Sequence, residues 1–206
     1  MEIKEHWENV FSTKTEKEVS WYQQYPQVSV DFIQQFQLPL DTKIIDIGGG
    51  DSYLMDALLE LGYTNLYVLD ISEKAIERLK NRLGKKAKDK VTFIVSDVLD
   101  FNPNNTFDLW HDRASFHFLT DENQVKKYSE LVASASANVG KLVIGTFSEN
   151  GPKKCSGLDI TQYSVESMTE VFKDNFEFIE SNEVSHQTPF DTIQNFIFCS
   201  FNKKLR

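Results

Sequence analysis

Short runs of β-branched and aromatic residues alternate along this chain with longer stretches whose apolar positions recur every three or four residues. The runs fall at 42–48 (TKIIDIG), 65–70 (NLYVLD), 91–97 (VTFIVSD), 106–112 (TFDLWHD) and 141–147 (KLVIGTF). Two more follow at 175–182 (NFEFIESN) and 194–202 (QNFIFCSFN). Between them the period is helical, near 52–61, 72–83, 121–137 and 164–173. Strands alternating with amphipathic helices predict an α/β fold built on a parallel sheet.

Capping residues support these boundaries. Ser72, Asp121 and Ser164 each stand just before a helical stretch, where a short polar side chain satisfies free backbone N–H groups. Gly62 and Gly84 stand where helix ends favour a left-handed residue. Residues 1–40 differ in texture. They hold Trp7, Trp21, Tyr22 and Tyr25 with no clean strand, then VSVDFIQQFQL, which reads as a helix with Val28, Phe32, Ile33 and Phe36 on one face. This arm is expected as a helical cap over one edge of the sheet. Its aromatic cluster suits packing on the core and covering a ligand equally well.

Composition narrows the partners. The 206 residues are 40% hydrophobic and 26% charged, the balance of an ordinary globular chain. The length suits a single domain over 1–206, with 1–40 as the cap and 41–206 as the core. No apolar run nears the roughly 20 residues that span a bilayer, and the first residues lack the pattern of a secretory signal. A cytoplasmic protein without a membrane partner is expected. The net charge of −9 repels phosphate backbones, so no nucleic-acid partner is expected either. The basic stretch at 80–90 reads as a solvated helix end. Cys155 and Cys199 form no metal-spaced cluster. Cys199 reads as a buried apolar residue, and Cys155 as a loop residue open to solvent.

The chemistry concentrates at strand ends. After the first strand, Asp46, Gly48, Gly49 and Gly50 mark a sharp strand-to-helix turn, where glycine permits positive φ and close backbone approach. The helix start beyond offers free N–H groups. Dinucleotide oxidoreductases share such a turn, but they expect a third glycine at position 52 and no acid at 46; here Ser52 and Asp46 stand in those places. A carboxylate there repels a pyrophosphate and suits a cationic ligand, and Asp51 adds to that charge. Asp70, followed by Ile71, ends the second strand 20 residues after Gly50, the distance at which an acid reaches ribose hydroxyls. Asp97 ends the third strand beside Val98, placed for an adenine amino group. Three acids at three strand ends share one rim of a parallel sheet.

The set IIDIGGGDS, VLDIS, SDVLDF and FDLWHD resembles motifs I to IV of the class I S-adenosylmethionine-dependent methyltransferases. The stretches WYQQYP, GGGDS and ELGYTNLYVLDIS are more loosely similar to the branch that methylates lysines of elongation factors. The resemblance implies a Rossmann-like seven-stranded, mostly parallel sheet flanked by helices, with the last strand antiparallel. It implies S-adenosyl-L-methionine as cofactor. Asp46, Gly48, Gly49 and Gly50 would hold the methionine moiety, Asp70 with Ile71 the ribose, and Asp97 with Val98 the adenine. His111 and Trp21 would complete the cofactor contacts.

Catalytic candidates follow the fourth strand, in HDRASFHFL. His111, Asp112 and Arg113 are placed to orient or deprotonate an acceptor, or to recognise an anionic one. The plainer alternative has His111 lining the cofactor and Arg113 paired with Asp112. His117 reads as structural. The loops at 148–163 and 183–192 are expected on the same rim, bringing Lys153, Lys154, Cys155, Tyr163, His186 and Gln187 toward the acceptor, with His186 as a second base candidate. The segment lacks the N/D-P-P-Y pattern of enzymes that methylate nucleic-acid bases. A compact chain whose aromatic arm and two rim loops can close a small pocket leads to methyl transfer to a small molecule as the expectation, with a protein lysine or a non-catalytic nucleoside-cofactor-binding module as alternatives.

Overall fold

The computed structural model describes residues 3–205. In chain order the elements are α1 (Ile3–Thr13), α2 (Gln27–Gln35), β1 (Ile44–Ile47), α3 (Leu54–Glu60), β2 (Leu66–Asp70) and α4 (Glu73–Leu83). Then come β3 (Val91–Val95), β4 (Phe107–Arg113), α5 (Glu122–Ala135), β5 (Ser136–Phe147), β6 (Lys154–Cys155) and β7 (Leu158–Asp159). The chain ends with α6 (Val165–Phe172), β8 (Phe176–Gln187) and β9 (Ile193–Lys203).

Seven strands form one sheet in the order β3-β2-β1-β4-β5-β9-β8. The pairs among β1 to β5 are parallel, and β9 runs antiparallel to both β5 and β8. This is the expected seven-stranded, mostly parallel sheet with an antiparallel last strand. The order reverses between β1 and β4, and in open α/β sheets ligands bind outside the carboxyl ends of the strands at such a point. Asp46 is paired in register with His111 there, and Ile47 with Asp112.

Helices cover both faces, which is why the central strands read as continuous apolar runs. All four residues of β1 are buried. On one face Ile44, Val68 and Leu109 pack with Ile33, Leu58, Ile76 and Leu79 from α2, α3 and α4. On the other, Ile45, Leu69 and Trp110 pack with Tyr128, Val132, Met168 and Phe172 from α5 and α6. Among the described residues, no helix is long and apolar enough to cross a membrane.

Four features differ from expectation. β8 runs on to Gln187, so the connection to β9 shrinks to 188–192, closed by hydroxyl contacts between Thr188 and Thr192. The segment at 148–163 folds a two-stranded ribbon, β6–β7, around Ser156 (φ 51) and Gly157 (φ 82). Positive φ at both positions is the tight hairpin turn whose twist matches its strands. The buried face of α2 is rotated to include Ser29 and Val30, while Val28 and Phe36 are half-buried.

The fourth difference is the arm. The expected helical cap is present, but α1 lies against the start of α4 and α2 packs on one face of the sheet through Val30 and Ile33. The Glu8 carboxylate of α1 accepts from the backbone N–H groups of Glu73 (2.7 Å) and Lys74 (3.2 Å) and from the Ser72 hydroxyl (3.1 Å). A carboxylate at free N–H groups meets the positive end of the helix dipole. The arm thus supplies α4 with a second cap, in addition to Ser72. Replacing Glu8 by Ala is expected to lower the unfolding free energy by about 1 kcal/mol, the usual worth of a cap. A urea midpoint moved down at constant m, with faster amide exchange over residues 3–13, would show it; an unmoved midpoint would deny the cap any role.

Candidate functional site

The turn after β1 packs so closely on its own neighbours that its positions admit no side chain. Gly48 and Gly50 have φ of +62° and +34°. A Cβ on Gly49 would stand 2.4 Å from Asp46 Oδ2, and one on Gly48 would stand 2.5 Å from Ser115 Cβ. The cradle is therefore glycine by necessity. Asp51, expected to add negative charge for a ligand, is neutralised internally: Arg82 bonds to it, and Arg78 lies 3.6 Å away. Arg82 also bonds Asp56 at 3.0 Å and lies over the Tyr53 ring.

Asp46 is buried, and its Oδ1 accepts from His111 Nδ1 at 2.7 Å. His111 Nε2 meets Ser29 Oγ at 2.9 Å. With the carboxylate fixing the proton on Nδ1, Nε2 accepts from the serine hydroxyl. Neither ring nitrogen is left to take a proton from an acceptor, so the geometry does not suit His111 as a general base. It joins α2 to the glycine turn.

Asp70 is buried at the end of β2, with Oδ1 accepting from the Ser72 N–H at 2.8 Å. Burial raises its pKa from 3.8 to about 7, Asp46 and Glu8 add to the rise, and the N–H groups of Ser72 and Gly50 offset part of it. Asp97 follows β3 and accepts from the Leu99 N–H at 2.8 Å. Asp70, Ile71, Asp97 and Val98 line one end of a cavity of about 380 Å³. Trp7, Trp21, Arg113, Phe118 and Cys155 line it too. A second cavity of about 70 Å³ adjoins Asp46, Gly48, Gly49 and His111 and shares Trp21 and Arg113 with the first.

Other candidates move. Asp112 lines neither cavity: it is buried, accepts from the N–H groups of Ser115 (3.1 Å) and Phe116 (3.0 Å), and bonds the Tyr128 hydroxyl at 2.7 Å. Burial lifts its pKa to about 6. It is a strut holding the turn after β4, in which Ala114 has φ +62°. It forms no pair with Arg113, which instead donates from Nη1 to the Trp21 carbonyl at 3.1 Å.

His186, expected on a rim loop, belongs to β8, is buried, and donates from Nε2 to the Ser20 carbonyl at 2.8 Å. Burial, with Arg113 nearby, lowers its pKa. His117 is buried beside Phe147 and Phe118, with its pKa pushed down to about 3 by burial. Cys155 is not open to solvent: it is 4% exposed, and burial raises its thiol to about 12. Of the residues expected from the two rim loops, Cys155 alone is among those lining the larger cavity. Tyr163 is buried against Phe116, and Lys154 pairs with Asp159 in the open at 3.1 Å.

Sequence reasoning passed over Ser29, Glu16, Tyr53 and Phe118. The Tyr53 hydroxyl bonds Glu16 at 2.7 Å, closing the smaller cavity across 37 positions of chain. No local pattern links two such residues. Phe118, in contrast, follows the fourth strand directly, and its contact with Trp7 (5.1 Å between ring centroids) completes the aromatic wall.

Among the described residues there is no cluster of histidine, cysteine and acidic groups that suits a metal ion. Residues 44–138 match the sequence profile described as a methyltransferase domain. A mouse protein, "eEF1A lysine and N-terminal methyltransferase", is 27% identical over 168 residues, covering 71% of this chain and 24% of its own. "Malonyl-[acyl-carrier protein] O-methyltransferase 1" of Ilyobacter polytropus is 26% identical over 165 residues, 75% of this chain and 60% of its own. This chain thus spans about a quarter of one relative and three fifths of the other. The solved Burkholderia thailandensis 1,6-didemethyltoxoflavin-N1-methyltransferase, with that compound and S-adenosylhomocysteine bound, superposes with a TM-score of 0.70. It is 15% identical, and the superposition covers 98% of this chain and 84% of that one.

The raised pKa of Asp70 has a consequence for stability. Between 3.8 and about 7 the folded chain holds a proton that the unfolded chain has lost. The stability this contributes is complete below 3.8 and is lost as pH rises through about 7. Asp70→Asn keeps the acceptor for Ser72 and removes the ionisation. In the ligand-free protein it should stabilise more at pH 8 than at pH 5, by about 1 kcal/mol or more, read from denaturant curves at both pH values. An equal effect at both would show that Asp70 ionises normally.

Proposed function

We infer that this chain, whose residues 44–138 match a methyltransferase domain profile, transfers a methyl group from S-adenosylmethionine by in-line displacement to a small-molecule acceptor. The observation that carries this reading is a cavity whose lining joins Asp70 and Asp97 with Trp7, Trp21 and Phe118, so that an aromatic compartment adjoins the nucleoside residues.

The residues present fit the cofactor. The glycine turn presents bare backbone beside the strand end, since a Cβ there would collide with Asp46, Asp70 or Ser115; Asp46 suits an amino group, Asp70 a ribose diol, and Asp97 with Val98 an adenine edge. Once bound there, S-adenosylmethionine supplies a methyl group already activated on a positively charged sulfur. What is left to the protein is alignment and exclusion of water. Trp7 and Trp21, whose rings meet at 5.7 Å, wall off the aromatic end together with Phe118. With His111 and His186 both engaged in hydrogen bonds, the acceptor is one that presents its lone pair without a histidine base.

A protein lysine, the kind of acceptor named for the mouse relative, fits less well. The guanidinium of Arg113 at the aromatic end repels an ammonium group.

Calorimetry with S-adenosylhomocysteine and with NAD tests the cofactor. The first should bind, more weakly by tenfold or more in Asp97→Ala, and NAD should not; tight NAD binding would defeat the reading. Release of S-adenosylhomocysteine with label recovered in the small-molecule fraction, and not on protein, would support the acceptor class. The single-turnover rate of His186→Gln at saturating donor should stay within about threefold of the parent. A loss of 100-fold, in the range a general base contributes, would restore a base.

A further inference from the structure

The arginines of this site are treated in two different ways. Arg82 is surrounded by acids, with Asp51 and Asp56 both in ion-pair contact. Arg113 has no carboxylate within ion-pair distance among the described residues. Its Nη1 donates to one backbone carbonyl, and its Nε and Nη2 are buried with no hydrogen-bond partner. The guanidinium lies over the Phe196 ring, 4.9 Å from its centre, and lines both cavities. A desolvated cation whose donors are unused is costly in the free protein.

The groups that face it do not relieve that cost. Asp46 acts on it at a distance, but its Oδ1 is bonded to His111. The Cys155 thiol is held protonated by burial, and His117 and His186 are both disfavoured as cations. Burial outweighs the field of Asp46 and brings Arg113 itself down to about 10, which leaves it charged at neutral pH.

We propose that Arg113 is a carboxylate grip: its Nε–Nη2 edge, unpartnered and buried in the free protein, turns to take a carboxylate side-on from a ligand in the cavity that the aromatic arm covers. A planar guanidinium presents two parallel N–H donors that match one carboxylate. Two carboxylates can reach it: the amino-acid end of the methyl donor, through the smaller cavity, and an acid group on the acceptor, through the larger one. This rests on the methyltransferase reading for the identity of the ligands, but not for the grip itself. The wall of Trp7, Trp21 and Phe118 suits an acceptor with a flat apolar body beside its acid group.

The test is calorimetry on the parent chain, Arg113→Met and Arg113→Lys, with four probes. S-adenosylhomocysteine carries the amino-acid end, and 5′-methylthioadenosine is the same nucleoside without it. Phenylacetate and phenylacetamide, added with the nucleoside, differ only in charge and donor pattern. If the grip serves the acceptor, the parent prefers phenylacetate, and Arg113→Met loses at least tenfold of that preference, about 1.4 kcal/mol. If it serves the donor, Arg113→Met loses at least tenfold for S-adenosylhomocysteine and nothing for 5′-methylthioadenosine. Arg113→Lys, which keeps the charge but not the fork, should recover only part of either loss. Thermal melting guards against misfolding: without ligand, Arg113→Met should melt no lower than the parent, since it removes an unpaired buried charge. Unchanged binding of both carboxylates, including failure of phenylacetate to bind at all while S-adenosylhomocysteine is unaffected, would overturn the grip. Failure of the parent to bind either nucleoside would sink the methyltransferase reading instead, and the phenylacetate pair would still judge the arginine.

Discussion

A carboxylate, an imidazole and a hydroxyl, buried in line, hold the middle of this molecule together. Asp46 stands on β1, His111 on its neighbour β4, and Ser29 on the helix of the arm that packs behind them. In so dry a place each polar group must be satisfied by another, because water cannot substitute. Loss of any one member leaves its partner orphaned, a penalty of about 1–3 kcal/mol and more for a charged group. The same carboxylate forbids a side chain on Gly49. One buried chain thus ties two neighbouring strands to the arm and keeps Gly49 free of a side chain.

Charge at the rim follows from the same scarcity of water. Where charges are structural, they are matched, as in Arg82 with Asp51 and Asp56. Asp112 is likewise consumed, by two backbone N–H groups and a tyrosine hydroxyl. Two charges on the larger cavity are left incomplete: Asp70 has its pKa raised to about 7, and Arg113 keeps two unused nitrogens. Contrast between matched and unmatched charges separates scaffold from site more sharply than residue type does.

That contrast also explains what could be read from the sequence. The strand ends were legible because period and caps are local, and Asp46, Asp70 and Asp97 announce themselves by position alone. The β6–β7 ribbon was signalled by Ser156-Gly157 but was read as a loop, because two residues per strand show no alternation. His111 and His186 read as bases in the sequence because a histidine at a rim invites that role. Their partners, Ser29 and Ser20, lie 82 and 166 positions away, and no local pattern reports such a contact. Cys155 misled for a similar reason: its neighbours in sequence are polar, while its neighbours in space include the arm. Asp112 and Arg113 are adjacent in sequence, and adjacency suggested a pair. In a strand, consecutive side chains point to opposite faces, so the pair was geometrically unavailable.

The cap that Glu8 places on α4 has one more consequence. α4 begins directly after Asp70, so the segment on which the arm rests is continuous with the nucleoside end of the cavity. Ile3 and Trp7 of that same arm lie over the cavity. A nucleoside at Asp70 therefore becomes part of the floor on which the arm settles, and the arm in turn forms the roof of the aromatic compartment. The Glu8 cap thus ties the roof of the aromatic compartment to the strand end that carries Asp70, so that one carboxylate couples the two ends of the cavity.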